Sequence, residues 1–366
     1  MKDLSLYIHI PFCKTICLYC NFLTFAHRNK FIPAYIKTVQ KEISLKAKKY
    51  HGYKIETIFF GGGTPSLIES HFIKNILQTI RKNFPVSRKV EISIECNPES
   101  LDLKKIRDYQ KMGINRISLG VQSFDRKTLF RIARPHDHTT IFKALEALKE
   151  SGFKNYGADF IIGLPYQTVQ NFQEQLEKTI AFKIPHLSFY FLSYDTKKID
   201  LFQADCPTEE LQIEMYHQVT KKLRKAGYVH YEVSNYAKPG YECRHNLRYW
   251  NQQEYLGIGL GAHSYVDGFC IENERSLDEY LKNPLSVNEK VEIDQELHKL
   301  EYIMLHLRTH KGITQKDYQQ KFGDYDALKK KAESYLKSRH LTGGKESLKA
   351  NEKGFLILDR ITQDLL

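Results

Sequence analysis

Short apolar runs alternate with longer amphipathic stretches along the first two-thirds of the chain, and this alternation is the main structural signal. The apolar runs, of six or seven residues each, predict buried strands at residues 4–10, 55–60, 90–96, 116–122, 156–162 and 186–192. Apolar residues spaced three or four apart predict helices at residues 32–50, 72–84, 103–112, 141–150, 172–182 and 209–226. Each predicted strand is therefore followed by a predicted helix.

Six successive strand–helix units predict a parallel sheet, because each helix supplies the crossover that parallel strands need. A closed barrel of this kind needs eight units. We therefore expect an α/β fold with a partial (β/α)6 parallel barrel over residues 1–230, open on one side.

The pattern changes after Gly227, and the last third of the chain has a different character. Residues 231–290 predict an irregular extension, which follows a short strand at 229–236 and includes a polar linker at 283–288. Within residues 291–366, three helices and a hairpin are predicted, at 297–308, 315–322, 325–336 and 341–358. This order resembles a winged-helix-like domain of ordinary small-domain size.

Composition places the chain among ordinary globular proteins, since 42% of its 366 residues are hydrophobic and 27% are charged. Seven cysteines in so long a chain argue against a secreted disulfide scaffold. No apolar run approaches the ~18 residues of a membrane-spanning helix. The first residues lack a signal-peptide pattern, so we expect a cytoplasmic location.

The formal net charge of +12 is spread along the predicted helices, which is typical of solvated helix faces. Weak peripheral contact with anionic membrane lipid stays open as an interpretation. We expect no nucleic acid partner, because basic and aromatic residues are not clustered as in an RNA-binding module.

Three of the seven cysteines fall within eight residues, just after the first predicted strand, as Cys13-Lys-Thr-Ile-Cys17-Leu-Tyr-Cys20. Thiolates are soft ligands suited to iron–sulfur clusters, and these spacings let one loop wrap a corner of a [4Fe–4S] cube. Three cysteines leave the fourth iron open for another ligand. A structural zinc site is one alternative, but no fourth ligand lies nearby in the sequence. Three buried thiols without a metal are the other.

Polar residues recur where the predicted strands end. The second strand leads into Gly-Gly-Gly-Thr-Pro at residues 61–65, where glycines permit close approach of the backbone to a ligand or form a tight turn. Glu95, Gln122 and Asp159 lie near the ends of the next three strands. Each could be a structural group, but the carboxyl ends of barrel strands meet at one mouth, so we expect a shared polar ligand there.

The Cys-x3-Cys-x2-Cys loop resembles the signature of the radical S-adenosylmethionine superfamily. Further blocks resemble the oxygen-independent coproporphyrinogen III oxidase family within it, at residues 7–20, 61–65, 93–98, 120–123, 134 and 157–165. The resemblance implies that Cys13, Cys17 and Cys20 bind a [4Fe–4S] cluster whose open iron binds S-adenosylmethionine. It also implies nine contacts to S-adenosylmethionine, from Tyr7, Tyr19, Gly62, Gly63, Thr64, Glu95, Gln122, Arg134 and Asp159.

Two branches of this family differ in visible features. The oxidase branch has a long segment before its cluster loop and a further cysteine two positions after the third, whereas here residue 22 is Phe. The HemW-type branch of haem chaperones carries His-Asn-x-x-Tyr-Trp, which this sequence matches from His245 to Trp250. The resemblance implies haem as a ligand, and His245 is the candidate ligand of its iron. It also implies delivery to recipient haem proteins, such as membrane respiratory enzymes.

We therefore expect a haem chaperone, with two alternatives. One is an oxygen-independent coproporphyrinogen III dehydrogenase, and the other is a radical enzyme acting on RNA. From the residues alone, His245 could also be a packed loop histidine. Arg244 and Arg248 could pair with haem propionates, and Tyr249 and Trp250 could pack on the macrocycle.

Overall fold

The computed structural model describes residues 1–193, 203–344 and 346–366. Twelve of the described strands form one sheet. In chain order they are β1 Lys2–Ile10, β2 Tyr53–Gly62, β3 Val86–Cys96, β4 Arg116–Gln122, β5 Tyr156–Ile162, β6 His186–Phe191, β7 Val229–Glu232, β8 Asn235–Ala237, β9 Tyr255–Ile258, β10 His263–Val266, β11 Phe269–Asn273 and β12 Val287–Glu292. Across the sheet, the order is β12-β11-β10-β9-β1-β2-β3-β4-β5-β6-β8-β7.

The predicted α/β class with parallel strands is confirmed, because β1 to β6 are successive parallel neighbours. A seventh parallel strand, β9, was not predicted. It pairs with β1 from Ser5 opposite Tyr255 to Ile8 opposite Ile258. A strand of four residues inside a glycine-rich segment is too short to show a period of two. As a result, β1 lies inside the sheet, between β2 and β9.

Helices connect the parallel strands, as predicted. They span Ile32–Lys49, Ser70–Asn83, Leu103–Met112, Arg126–Arg131, His138–Glu150, Val169–Ala181 and Glu209–Lys225. Asp102, Asp125 and Asp137 each precede a helix and accept a backbone N–H of its first turn. The short helix Arg126–Arg131 was not predicted, although its Asp125 cap is visible in the sequence. In the described part of the chain, no helix combines the length and the apolar character needed to cross a bilayer.

The expectation of an irregular extension over residues 231–290 is wrong, since strands β9 to β12 extend one edge of the sheet. The predicted strand at 229–236 is an antiparallel hairpin of β7 and β8 beside β6. The predicted linker at 283–288 overlaps β12, which pairs with β11. All six residues of β12 are exposed, so no apolar pattern marks this strand. Two further helices in this segment span Arg244–Trp250 and Leu277–Lys282.

Residues after 294 build a second hydrophobic core. Its helices span Gln295–His306, Gln315–Phe322, Tyr325–Lys331, Glu333–Lys337, Glu352–Leu356 and Leu358–Leu365. Its three-stranded sheet contains Ile313–Thr314, Ser347–Ala350 and Leu341–Gly343. The hairpin predicted for 341–358 ends at Ala350, because Asn351 accepts two backbone N–H bonds and starts a helix. The division into domains at residues 230 and 290 stays a prediction.

A buried carboxylate, Glu42, fixes the glycine-rich turn between β9 and β10. Its oxygens accept hydrogen bonds from Gly259 N at 2.8 Å, Asn273 Nδ2 at 2.8 Å and Tyr280 Oη at 2.7 Å. Lys46 Nζ lies 2.7 Å from the same carboxylate and balances its charge. This network joins the first helix to the last part of the sheet.

Glu42→Ala is expected to lower the free energy of unfolding by about 3–5 kcal/mol, since it leaves Lys46 without its buried partner. Lys41→Ala, an exposed change one position earlier on the same helix, is the matched control and is expected to cost under about 1 kcal/mol. Urea unfolding followed by circular dichroism measures both variants. Equal stability of the two variants would contradict this role of Glu42.

Candidate functional site

A cavity of about 440 Å³ opens at the carboxyl ends of the parallel strands. The three cysteines of the first loop line it. Eight of the nine residues predicted to contact S-adenosylmethionine also line it: Tyr19, Gly62, Gly63, Thr64, Glu95, Gln122, Arg134 and Asp159. The ninth, Tyr7, lies on an adjoining inner cavity. The structure therefore brings the predicted residues together, while their contact with a ligand stays a prediction.

The loop of residues 11–24, called the cluster loop, is anchored at both ends. Phe12–Cys13 forms a short parallel strand pair with Phe25–Ala26. Between these anchors, Cys20 N donates to Cys17 O at 3.0 Å. The loop therefore presents its thiols from a backbone that is held on either side.

Without a bound metal, the surroundings of Cys13 disfavour its thiolate form. Burial raises the pKa of Cys13 to about 11, and the neighbouring thiols of Cys20 and Cys17 add to this shift. Thr64 Oγ1 donates to Cys13 Sγ at 3.5 Å, and Arg134 Nη1 donates to Cys17 Sγ at 3.4 Å. Cationic irons would favour the thiolate forms, and these two donors are directed at sulfur atoms.

These thiols fit a cluster better than a single ion. Among the described residues, no three His, Cys, Asp or Glu side chains are grouped closely enough to hold one metal ion. A [4Fe–4S] cube makes a different demand, because each thiolate binds a different iron. Cys13, Cys17 and Cys20 line one cavity from one loop and so match that demand.

Gly62 and Gly63 are both required by close packing, and Gly62 also by its backbone conformation. Gly62 has φ +115°, and a Cβ there would lie 2.5 Å from His9 Cε1. A Cβ on Gly63 would lie 2.9 Å from Cys13 Sγ. His9 in turn contacts Leu23 O of the cluster loop through Nε2 at 2.9 Å. Side chains at these glycines would therefore displace the cluster loop.

Two half-buried residues, Glu95 and Asp159, line the cavity with their carboxyl groups. Glu95 Oε2 accepts from Gly62 N at 3.1 Å, and Asp159 Oδ2 accepts from Ser118 Oγ at 2.9 Å. Burial, followed by the charge of Asp159, raises the pKa of Glu95 to about 8. Burial also raises the pKa of Asp159. Both groups favour a ligand that brings positive charge or hydroxyl donors.

The affinity for S-adenosylmethionine is expected to rise with pH towards about 8. Below its pKa of about 8, Glu95 is mainly protonated, and a cationic or hydroxyl ligand prefers the carboxylate, so binding releases a proton. The linkage gives up to about a tenfold gain in affinity per pH unit, which levels off above about pH 8. Glu95→Gln removes this dependence, whereas exposed Glu146→Gln retains it. Calorimetric titration at several pH values measures both, and identical profiles would contradict the assignment.

Arg134 is committed to protein groups. Besides Cys17, its guanidinium donates through Nη2 to Asn97 Oδ1 at 3.0 Å and to Gly120 O at 2.7 Å. Gln122 ends β4 with φ +66°, which directs the chain away from the sheet at the cavity wall. Arg134 therefore joins the cluster loop to the ends of β3 and β4.

His245 lies in the inner cavity of about 250 Å³, within the barrel. Its side chain is fully buried, and both ring nitrogens are engaged. Nδ1 lies 2.7 Å from Thr57 Oγ1, and Nε2 lies 2.7 Å from Tyr249 Oη. Burial, followed by the charge of Arg248, lowers the pKa of His245 to about 3, so the imidazole is neutral.

The helix Arg244–Trp250 closes the end of the barrel opposite the cluster loop. Arg244 Nη1 donates to Lys89 O at 2.6 Å, and Arg248 Nη2 donates to Asp3 O at 3.1 Å. Both acceptors lie near the amino ends of their strands, β3 and β1. The two arginines are therefore far from the mouth where the cysteines lie.

Sequence reasoning missed several residues of the site. Asn97 bonds Arg134, and its position just after β3 is the same signal that marked Glu95. His9 braces the cluster loop, but a histidine inside an apolar strand gives no hint of its direction. Tyr190 lines both cavities, and nothing in the alternation of β6 shows this.

Comparison with known proteins agrees with this geometry. The sequence profile of the Radical SAM superfamily matches residues 7–178. The protein named heme chaperone HemW of Lactococcus lactis is 33% identical, over 88% of this chain and 86% of its own length. The protein of that name from Bacillus subtilis is 32% identical over 87% of each chain, and that from Escherichia coli is 36% identical over 73% of this chain and 71% of its own.

A solved structure described as coproporphyrinogen III oxidase (HemN) from Escherichia coli, a radical SAM enzyme, superposes with a TM-score of 0.88. It covers 100% of this chain and 90% of its own, at 23% identity, so the likeness concerns the fold alone. Three observations together assign the sequence to a family: the cysteine loop, the strand-end residues and the HemW relatives. The chain belongs to the HemW family of the radical SAM superfamily.

Proposed function

We propose that the protein is a cytoplasmic haem chaperone that binds haem, a [4Fe–4S] cluster and S-adenosylmethionine. It passes haem to recipient proteins such as membrane respiratory enzymes. One observation carries the proposal: the cluster-loop cavity and the inner cavity with His245 share walls. The shared residues are Phe22, Gly62, Glu95, Asp159 and Tyr190. The names of the HemW relatives support haem as the ligand.

In this proposal, three irons are held by Cys13, Cys17 and Cys20. Bound S-adenosylmethionine supplies a sulfonium cation next to a cluster that can donate an electron. Other residues of the chain would position the cofactor and balance its charge. Gly62 leaves room at the wall, Glu95 and Asp159 accept hydrogen bonds, and Thr64 and Arg134 direct donors at sulfur atoms.

His245 is the proposed ligand of the haem iron. Its neutral imidazole is the form that binds iron. Iron has to replace the hydroxyl of Tyr249 at Nε2, so haem binding requires a shift of the helix Arg244–Trp250. Arg244, which is exposed, and Arg248, which is half-buried, would exchange their bonds to Lys89 O and Asp3 O for the propionates.

Anaerobic reconstitution tests the proposal. The reconstituted protein is expected to bind about one haem in an absorbance titration, and to pass it to a haem-free respiratory cytochrome. It is expected not to convert coproporphyrinogen III. Turnover of coproporphyrinogen III without haem transfer would replace the chaperone proposal with the dehydrogenase alternative.

A further inference from the structure

The interior of this barrel contains a cavity, whereas the interiors of other barrels are normally packed. Barrel interiors are usually filled by branched apolar side chains in layers. Here the inward positions of β3, β4 and β6 carry Ser93, Ser118 and Ser188, which line a cavity of about 250 Å³. Small hydroxyl residues on three of the four neighbouring strands β3 to β6 leave room that bulky residues would fill.

Residues two apart on a strand share a face, so each strand of this cavity contributes a position nearer its amino end and one nearer the cluster loop. The first positions, called the lower layer, are Ser93, Arg116 and His186. The second positions, called the upper layer, are Glu95, Ser118 and Ser188, with Asp159 opposite Ser188. The layers are staggered across the sheet, because Ser118 pairs with Gly157 and Gly157 with His186.

Arg116 supplies a buried positive charge in the lower layer, where it is only 3% exposed. Its Nη1 donates to Asn155 Oδ1 at 2.9 Å and to Tyr241 O at 2.9 Å, and the buried carboxylate of Glu91, which is outside the cavity lining, also attracts the guanidinium. Beside it, the buried hydroxyl of Ser93 has no hydrogen-bond partner among the described residues. Buried hydroxyls normally find partners, so the Ser93 hydroxyl and the guanidinium beside it are suited to an anionic group on the cavity side.

His186 adds a third donor to the lower layer. Tyr231 Oη accepts from Cys243 N at 3.1 Å, so its proton is directed at His186 Nε2, 2.7 Å away. The neutral ring then carries its own proton on Nδ1. Within the described residues this buried Nδ1 has no hydrogen-bond partner. The space beside it is open because residue 157 is a glycine, and a Cβ there would lie only 2.9 Å from Nδ1.

The upper layer offers an acceptor that is also unused. Asp159 Oδ2 is bonded to Ser118, but the buried Oδ1 has no partner among the residues that the structure describes. A cationic group below the cluster loop would satisfy it. The cavity therefore has an acceptor at its upper end and three donors at its lower end.

We propose that the inner cavity binds a small zwitterion of the α-amino acid class. Its carboxylate lies against Arg116, Ser93 and His186, and its ammonium group faces Asp159. The volume is below the ~300 Å³ at which pockets for drug-sized ligands begin, so the ligand is about the size of one amino acid. His245, the proposed haem ligand, lines the same cavity, so amino acid binding is measured on haem-free protein.

L-Methionine is the probe, because it is an amino acid with a narrow, flexible side chain. Cluster-loaded protein is first saturated with S-adenosylmethionine to occupy the outer cavity, and labelled L-methionine is then measured by equilibrium dialysis. About one equivalent is expected to bind. L-Methionine methyl ester and 4-(methylthio)butanoate, which each lack one charge, are expected to bind at least about tenfold more weakly. Methionine that only competes with S-adenosylmethionine would overturn the proposal.

Two variants keep the test independent of folding. Arg116→Gln is expected to weaken methionine binding at least about tenfold. Ser93→Val fills the cavity and leaves both hydrogen bonds of Arg116 in place, and it is expected to have the same effect. Ser87→Val, on the same strand but outside the cavity lining, is the matched control. Wild-type affinity for methionine in Ser93→Val would contradict the proposal. Haem titration of the same variants tests the chaperone function separately.

Discussion

Replacement of all three cluster-loop cysteines, Cys13, Cys17 and Cys20, by alanine is expected to give a folded protein with almost no iron or sulfide after anaerobic reconstitution. Wild-type protein is expected to hold about four irons and four sulfides per chain. The loop itself does not depend on the thiols, because it is anchored by the pairing of Phe12–Cys13 with Phe25–Ala26. Binding of S-adenosylmethionine is expected to be lost with the cluster.

The matched control is Cys206→Ala, Cys243→Ala and Cys270→Ala together, since these three thiols lie outside the cluster-loop cavity. This control is expected to keep the full iron and sulfide content. Chemical iron analysis, acid-labile sulfide and electron paramagnetic resonance of the reduced protein measure the outcome. Full iron content in the cluster-loop variant would refute the assignment of these thiols.

The second large effect concerns haem. His245→Ala is expected to weaken haem binding at least about tenfold, which corresponds to about 1.4 kcal/mol, because the iron loses its proposed nitrogen ligand. Tyr249→Phe is expected to act in the opposite direction. It removes the hydroxyl that holds Nε2 at 2.7 Å, so the imidazole is released for iron without a competing hydrogen bond. Absorbance titration in the Soret region measures both.

The effect of His245→Ala on stability needs its own control, because the buried imidazole makes two hydrogen bonds that this change removes. Thr57→Val removes the partner of Nδ1 and is expected to cost about 1–3 kcal/mol of unfolding free energy, similar to a lost buried hydrogen bond. It leaves Nε2 untouched, so haem affinity is expected to stay near the wild-type value. Normal haem affinity in His245→Ala, or an equal loss in Thr57→Val, would mean that His245 is only a structural residue.

The barrel strands could be predicted from the sequence because they are buried on both faces. Short segments rich in apolar residues, such as Arg116–Gln122 and Tyr156–Ile162, mark such strands even though a few polar side chains interrupt them, and these bounds agree with the structure. The strand Tyr255–Ile258 gave no such signal. Its parallel partner is more than 200 positions away, and pairing over that separation leaves no periodic trace in the sequence.

The site was predictable as far as it follows strand ends. Glu95 and Asp159 face one cavity because the carboxyl ends of parallel strands meet there. The surroundings of His245 were not predictable. The sequence motif places a histidine beside two aromatic residues, but only the fold puts it inside the barrel with Thr57 from β2 at Nδ1.

The position of β1 between β2 and β9 makes the completion of the sheet a long-range event. β1 leads into the cluster loop, and one of its two neighbours, Tyr255–Ile258, lies about 250 positions later in the chain. Gly261, just after that strand, packs close to Leu23 of the cluster loop. Because contacts between distant parts of a chain form slowly, this support of the loop is expected to form late in folding.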